Sequence, residues 1–466
     1  MKRSLIKSFG SGIVDCEHGE SYGKILSYFL PEYITAMVLY SLIYFVDSYF
    51  IAHLKSTSTF ATLGTTNTLL HFLIKMAEGI SVGTIVVTGY YNGLSNYERS
   101  GKTLIDAFWI TVLVGSCISL MLYIGAPWIY YWYGVPQKMI VRGAPYLRIR
   151  SISIFCMFVY FAFIGFLRGV KNTRTPMIIF VCGALLFLFF DYVLIFGMWG
   201  FPRMKFLGSA MASTIQYIFM LIASALFVLM SKEYTKYSIC LFTEVASWKR
   251  IKHLLWLSAP VVLDKAILAI AYLWLGAMIN PMGVYAIASY SIIKDLERFA
   301  IMPAAAFAQV ITFLASNAQG IGDWKGTKSN IKKVVLLASI CVCAILFVFS
   351  VWPKFFIQFF DHKEKFTAFA AQIVPFLSVL VFFDLLQLIM AGALRGSANV
   401  KYVFITRLCI VFLYFIPVST FLAQLNLKND MLRFLLIYGS FYLGNGLMSV
   451  VYIIRFRGER WKSKSV

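Results

Sequence analysis

The sequence predicts an all-α membrane protein of about twelve transmembrane helices, built as two parallel six-helix repeats, and three observations carry that prediction. First, 60% of the 466 residues are hydrophobic and only 13% are charged, and the mean hydropathy of +0.78 lies outside the range of water-soluble domains. Second, the apolar residues gather into about twelve stretches, each long enough to cross a hydrocarbon core of about 30 Å. Third, a polar motif that closes the fourth stretch returns at the close of the tenth, at Arg168 and again 227 residues later at Arg395.

The stretches fall near 25–52, 59–91, 104–126, 140–167, 175–198, 207–231, 253–279, 286–317, 332–352, 367–394, 400–424 and 431–454. Continuous apolar runs such as 178–190 exclude a β-barrel, whose strands alternate apolar and polar residues. The first stretch contains Pro31 and Asp47, and no small-residue cleavage site follows it, so it is expected to remain as a span. With the N-terminus cytoplasmic, the inner segments hold 25 Lys and Arg against 10 in the outer loops. This positive-inside bias puts both termini in the cytoplasm of a multi-pass protein of the cell (inner) membrane. It also accounts for the net charge of +22, which in a soluble protein would suggest a nucleic-acid partner; none is expected here, and attraction to anionic lipid heads follows instead. The eight cysteines show no metal-ligand spacing and read as small apolar packing residues.

The repeat is read from Leu167-Arg168-Gly169-x-x-Asn172-x-Arg174 and Leu394-Arg395-Gly396-x-x-Asn399-x-Lys401. The same offset of 227 relates Ala61 to Ala288 and Gly93 to Gly320. Six spans per repeat is an even number, so the halves are parallel and related by a pseudo-twofold axis along the membrane normal. An N-lobe over 1–231, a basic cytoplasmic linker over 232–252 and a C-lobe over 253–466 are expected, a plan in which a cavity between two bundles can open alternately to either side, the general logic of a secondary transporter.

Several segments resemble the multidrug and toxic compound extrusion (MATE) family. They are Asp47-Ser48-Tyr49-Phe50-Ile51-Ala52, Ala61-Thr62-Leu63-Gly64, Gly79-Ile80-Ser81-Val82-Gly83-Thr84, Gly93-Leu94-Ser95-Asn96-Tyr97-Glu98, Gly208-Ser209-Ala210-Met211-Ala212-Ser213, Pro260 and the doubled Leu-Arg-Gly signature. The resemblance spans roughly 25–460 and implies a twelve-helix, two-lobed exporter that expels amphipathic organic compounds in exchange for protons or Na⁺; a monomer is expected. Asp384-x-x-Gln387 before Gly392-Ala393-Leu394-Arg395-Gly396 looks like the family's tenth-helix ion-binding segment. The sequence departs from the pattern at Phe187, where Asn is common one turn before the fifth-helix acid, at Leu268, where one branch has Glu, and at Lys265, where another has Gln.

A charge at the centre of a span costs at least about 2.5 kcal/mol, so each one requires a reason. Asp47 lies 16 residues beyond Pro31 and Asp191 lies 15 beyond Pro176, which puts both acids roughly 22–24 Å along outward-running helices. They are candidates to share a proton or an ion. Asp384 and Asp264 each lie 11 residues from the inner end of a helix, about 16 Å deep. Asp384 is a second candidate coupling acid; Asp264 reads equally as one half of an ion bridge with Lys265 nearby. Na⁺ is considered at Asp384 or at Asp47 with Asp191, and no other metal or cofactor is expected. Lys294, Asp295, Glu297 and Arg298 cluster in the eighth span, and Lys265, Lys294, Asp295, Arg298 and Gln387 are candidate substrate contacts on a polar cavity. Lys75 and Glu78 read as an intrahelical pair, Arg168 and Arg395 as cations at helix C-termini facing lipid phosphates, and Tyr130, Tyr131 and Trp132 as an interfacial belt.

Other functions find little in the residues. Gly101-Lys102-Thr103 is a fragment of a phosphate-binding loop whose required glycine is Asn96, and the five histidines are scattered, so neither an ATP-driven pump nor a membrane enzyme is expected. No pore segment repeats as in a channel. A flippase for lipid-linked saccharides, favoured by the basic residues in the core, and a non-transporting receptor or scaffold remain as alternatives.

Overall fold

The computed structural model describes residues 18–54, 56–132, 134–242, 247–358, 367–425, 429–458 and 461–462, and among them every regular element is helical. Lipid offers the backbone no hydrogen bonds, and a helix satisfies its own. The long runs are α1 (Tyr22–Met37, a π-helical turn Val38–Leu42, then Ile43–Ala52), α2 (Thr57–Gly93), α3 (Tyr97–Trp132), α4 (Gln137–Gly169), α5 (Arg174–Phe196) and α6 (Phe206–Met230). After them come α7 (Trp248–Ile279), α8 (Val284–Gly320), α9 (Trp324–Val351), α10 (Thr367–Gly396), α11 (Val400–Ile410, a π-helical turn Val411–Phe415, then Ile416–Gln424) and α12 (Asp430–Arg457). Eleven of them, α2 to α12, are long and apolar enough to cross a membrane. The twelfth, α1, carries Pro31, which cannot donate a backbone hydrogen bond, and a π-helical turn shortly after it; both are recognised causes of a bend.

The chain divides into two compact units, one of Leu30–Val262 and one of the residues up to Phe29 with those from Leu263 onward. The divisions fall inside α1 and α7 rather than in the 232–252 segment, so the first unit includes the opening turns of α7. A physical reason lies on α2. A Cβ on Gly79 would come within 2.5 Å of Val262 Cγ2 and one on Gly83 within 2.0 Å of Ser258 Oγ, so these glycines form the groove that receives α7. Arg250, near the start of α7, completes the attachment through an ion pair with Asp106 of α3 at 2.6 Å.

The repeat reappears in the packing. In the first unit α4 packs against α2, α3 and α6; in the second α10 packs against α8, α9 and α12, the same pattern six helices on. The closest approaches obey the sequence offset as well. A Cβ on Gly165 would lie 2.9 Å from Ser81 O and one on Gly392 would lie 2.6 Å from Ala308 O. One on Gly169 would lie 2.8 Å from Thr88 Cβ, and one on Gly396 would lie 2.9 Å from Ala315 Cβ. Each member of the second pairings stands 227 residues after its counterpart, so the glycines of the signature are small-residue contacts between helices. Gly392→Val is expected to lower stability by about 1–3 kcal/mol through overpacking against the α8 backbone, read as earlier loss of the monodisperse peak on heating in detergent. Gly64→Ala, at a helical site with nothing within 4 Å of the new Cβ, should show no such loss.

The segment after α6 is held rather than loose. Residues Lys232–Tyr237 form a 3₁₀ turn in which Tyr234 accepts a hydrogen bond from Asn172 Nδ2 at 2.7 Å and Tyr237 donates one to Asn92 Oδ1 at 2.9 Å. Burial pushes the Tyr234 phenol up to about 12. Gly101 of the incomplete phosphate-loop fragment has a packing reason, since a Cβ there would lie 1.9 Å from Tyr237 O.

Two expectations about side chains need correction. Tyr130 is buried and hydrogen-bonded to Thr66, because the missing side chain of Gly143 leaves room for its ring; Tyr131 and Trp132 are exposed. Of the cysteines, Cys16 lies outside the described residues, Cys156 is buried, and Cys117, Cys182, Cys240, Cys343 and Cys409 are on exposed faces, so most do not pack the interior.

Candidate functional site

Each unit holds a buried polar cluster. In the unit of residues 30–262, α1, α4, α5 and α6 contribute Asp47, Arg150, Asp191 and Ser209. Ser209 Oγ donates to Asp47 Oδ1 at 2.7 Å. Asp191 is fully buried, and neither of its carboxyl oxygens has a hydrogen-bond partner among the described residues. The two acids interact electrostatically with each other and with Arg150, and the Tyr146 hydroxyl joins Ser209. Packing fixes the arrangement: Tyr146 stacks on Phe206 at 4.2 Å within an apolar cluster of Ile51, Leu63, Ile195 and Ala210. The structure therefore brings together the two acids that sequence spacing placed at matching depth. Phe187, one turn before Asp191, is buried and offers no oxygen.

Arg150 was not singled out by the sequence. It follows Arg142 and Arg148 on α4, and both of those are exposed. Its Nε is instead buried without a hydrogen-bond partner among the described residues. The available signal was its distance from the inner end of α4: 18 residues before Arg168, about 27 Å along the helix.

The other unit contains Asp264, Lys265, Asp384 and Gln387. Asp264 accepts from Arg395 Nη2 and from Arg407 Nε, each at 2.5 Å, and all three side chains are buried. Lys265 interacts electrostatically with Asp264 and Asp384. Asp384 Oδ1 accepts from Asn445 Nδ2 at 3.0 Å, and Arg407 also acts on it electrostatically. Gln387 is buried, and its Nε2 has no hydrogen-bond partner among the described residues.

The signature arginines are thus buried ligands of carboxylates, not cations turned toward lipid phosphates. In the first unit Arg168 makes the matching pair, a two-pronged bond to Glu32 at 2.7 and 2.6 Å, with Glu78 in electrostatic reach and Lys75 bonded to Glu78 at 2.9 Å. Glu32 follows Pro31 on α1 and Asp264 follows Pro260 on α7, so in each repeat the arginine ties the fourth helix to the first. Burial in low dielectric demands this: an unpaired guanidinium there would cost several kcal/mol.

On α8 the cluster separates by face. Asp295 and Arg298 are more than half exposed and pair at 3.5 Å. Lys294 lies over the rings of Tyr272 and Tyr290 at 5.0 and 5.6 Å. Glu297 is buried and bound by the hydroxyls of Tyr438 and Tyr442. Sequence reasoning noted Glu297 but did not select it; its tyrosine partners lie about 140 residues away, beyond what local spacing reveals.

Comparison with known proteins agrees with this architecture. The MatE family model matches residues 33–193 and again 260–421, two matches whose starts are 227 residues apart. The chain is 22% identical over 407 residues to a probable multidrug resistance protein, YoeA, of Bacillus subtilis, covering 87% of this chain and 88% of that one. It is 23% identical over 365 residues to a probable multidrug resistance protein, NorM, of Thermotoga maritima, covering 78% and 77%. Among solved structures, an outward-facing multidrug resistance MATE transporter of the MOP superfamily superposes with a TM-score of 0.86 at 16% identity over 95% of this chain and 96% of that one. A MATE structure described as the bent conformation gives 0.84 at 16% identity, over 94% and 95%. With the family model matched in both repeats across most of its length and the fold shared from end to end, the chain belongs to the MATE family of membrane proteins.

Proposed function

We propose that the chain is a secondary active exporter of amphipathic organic compounds, driven by protons moving inward through alternating access. The observation that carries this reading is the charge balance around Asp191: two carboxyls share one guanidinium, and the oxygens of Asp191 have no other partner among the described residues. With both acids ionised the group holds one uncompensated negative charge in a low-dielectric interior, which a proton or a monovalent cation neutralises. Protons are favoured because Phe187 withholds an oxygen that a bound Na⁺ would need, and Na⁺ requires several. Asp384, bonded to Asn445 and free of a direct ion pair in the described contacts, is the proposed second coupling acid. Asp264 is assigned a fixed structural role, since two arginines already balance it.

The cargo class follows from the multidrug resistance names of the relatives and from side chains that are polar yet ringed by aromatics. Lys265 and Gln387 beside Asp384, and Lys294, Asp295 and Arg298 on α8, are the proposed contacts. Purified protein in liposomes should export ethidium when a proton gradient is imposed and should not do so under a Na⁺ gradient alone. Flux that ignores both gradients would overturn the exporter reading, and flux that needs Na⁺ would overturn the choice of ion. A cell-membrane location with cytoplasmic termini is part of the proposal. In intact cells a cysteine at Lys205 should react with an impermeant thiol reagent and one at Lys236 should not, in a background lacking the native cysteines.

A further inference from the structure

Lys294 and Glu297 stand one turn apart on α8 in a setting that ordinary helix salt bridging does not explain. Asp295, the neighbouring acid, is engaged with Arg298 on the exposed face. The Lys294 ammonium instead rests over two ring faces, 5.0 Å from the centre of Tyr272 and 5.6 Å from that of Tyr290. The rings are held in place: the Tyr290 hydroxyl donates to the Tyr272 carbonyl at 3.3 Å, and its ring stands edge-on to Tyr438 at 5.6 Å.

Beside them Glu297 is only 9% exposed, and one of its oxygens, Oε2, takes both phenolic donors, from Tyr438 and, at 2.5 Å, from Tyr442. The other oxygen, Oε1, is buried with no hydrogen-bond partner among the described residues. Glu297 and Lys294 interact electrostatically. Two aromatic faces next to a carboxylate with an open oxygen constitute the chemistry that recognises an organic ammonium.

We propose that Tyr272, Tyr290 and Glu297 form an organic-cation seat that Lys294 occupies as a tethered ligand, and that a cargo with a cationic nitrogen takes the seat by displacing it. This rests on the exporter reading only for the word cargo; the seat itself is a binding site that exists with or without transport. The resident ammonium lowers the apparent affinity, because the seat is available only in the fraction of molecules in which Lys294 has moved away. It also refills the seat once cargo departs, so Glu297 is never left facing an empty cage. Weak cations are excluded by the same competition.

The test uses full-length protein purified in detergent, with no gradient, and ethidium fluorescence as the binding readout. Lys294→Met, which keeps the apolar stem, should tighten ethidium binding roughly five- to tenfold, whereas Lys294→Arg should not. Adding Glu297→Gln to Lys294→Met should remove the gain. Unchanged or weaker binding by Lys294→Met overturns the seat, and so does a gain that survives the Glu297→Gln change, which would mark a long-range charge effect. A second measurement needs no variant: saturating ethidium should increase acylation of Lys294 by an amine-reactive reagent in the wild-type protein, and a decrease overturns the displacement. The expected binding pattern without gradient-driven flux would sink the exporter reading alone, and flux without that pattern would sink the seat alone.

Discussion

Asp47→Asn and Asp191→Asn are each expected to abolish gradient-driven export of ethidium from proteoliposomes while leaving expression and ethidium binding close to wild type. The carboxyls interact electrostatically with each other and with the Arg150 guanidinium, and among the described residues Asp47 has a hydrogen-bond donor, Ser209 at 2.7 Å, while Asp191 has none. Removing either acid leaves the other balanced by Arg150. The cluster is then neutral in every state and has no reason to take up or release a proton, so the gradient can no longer bias one conformation over another. Stability should survive, because Asn retains the volume of Asp and the exchange relieves charge crowding. Ser209→Ala removes one donor and leaves both charges, so it should slow export without abolishing it. Initial rates under an imposed proton gradient check all three. Wild-type export by the Asp47→Asn, Asp191→Asn double variant would remove the site from the mechanism.

Much of this architecture was legible because lipid imposes a simple rule. Spans must be long, apolar and helical, so composition and run length mark the helices, and the offset between Arg168 and Arg395 marks the repeat. The matching depth of Asp47 and Asp191 followed from helix rise alone. What remained hidden depended on contacts between distant segments. Nothing near Asp264 in the chain announces Arg407, 143 residues on, and adjacent Lys265 was the more obvious partner. Glu297 likewise owes its setting to two tyrosines on α12, four residues apart and facing α8, which a reading of α8 by itself does not find. Tyr130 was misplaced for a related reason: its sequence neighbours Tyr131 and Trp132 do face outward, and only the glycine on α4 explains why Tyr130 turns in.

The Asp264 triad supplies the other large effect, on folding and not on coupling. Asp264 lies between Arg395 and Arg407, each at 2.5 Å, and all three side chains are buried. Removing the acid leaves two guanidinia in low dielectric with their shared counter-charge gone, whereas removing one arginine leaves a one-to-one pair. Asp264→Asn is therefore expected to cost about 3–5 kcal/mol, the range for breaking a buried ion pair by deleting one partner, and Arg395→Met distinctly less. Glu32→Gln should also be milder than Asp264→Asn, because Arg168 retains Glu78 within electrostatic reach. Thermal loss of the monodisperse peak in detergent gives the order, with Asp264→Asn lowest. Whatever Asp264→Asn protein folds should keep the wild-type ion dependence of export, since a permanently paired carboxylate has no protonation cycle to contribute. An Asp264→Asn protein with wild-type thermal stability and no gradient-driven export would reverse the assignment and place Asp264 with the coupling acids.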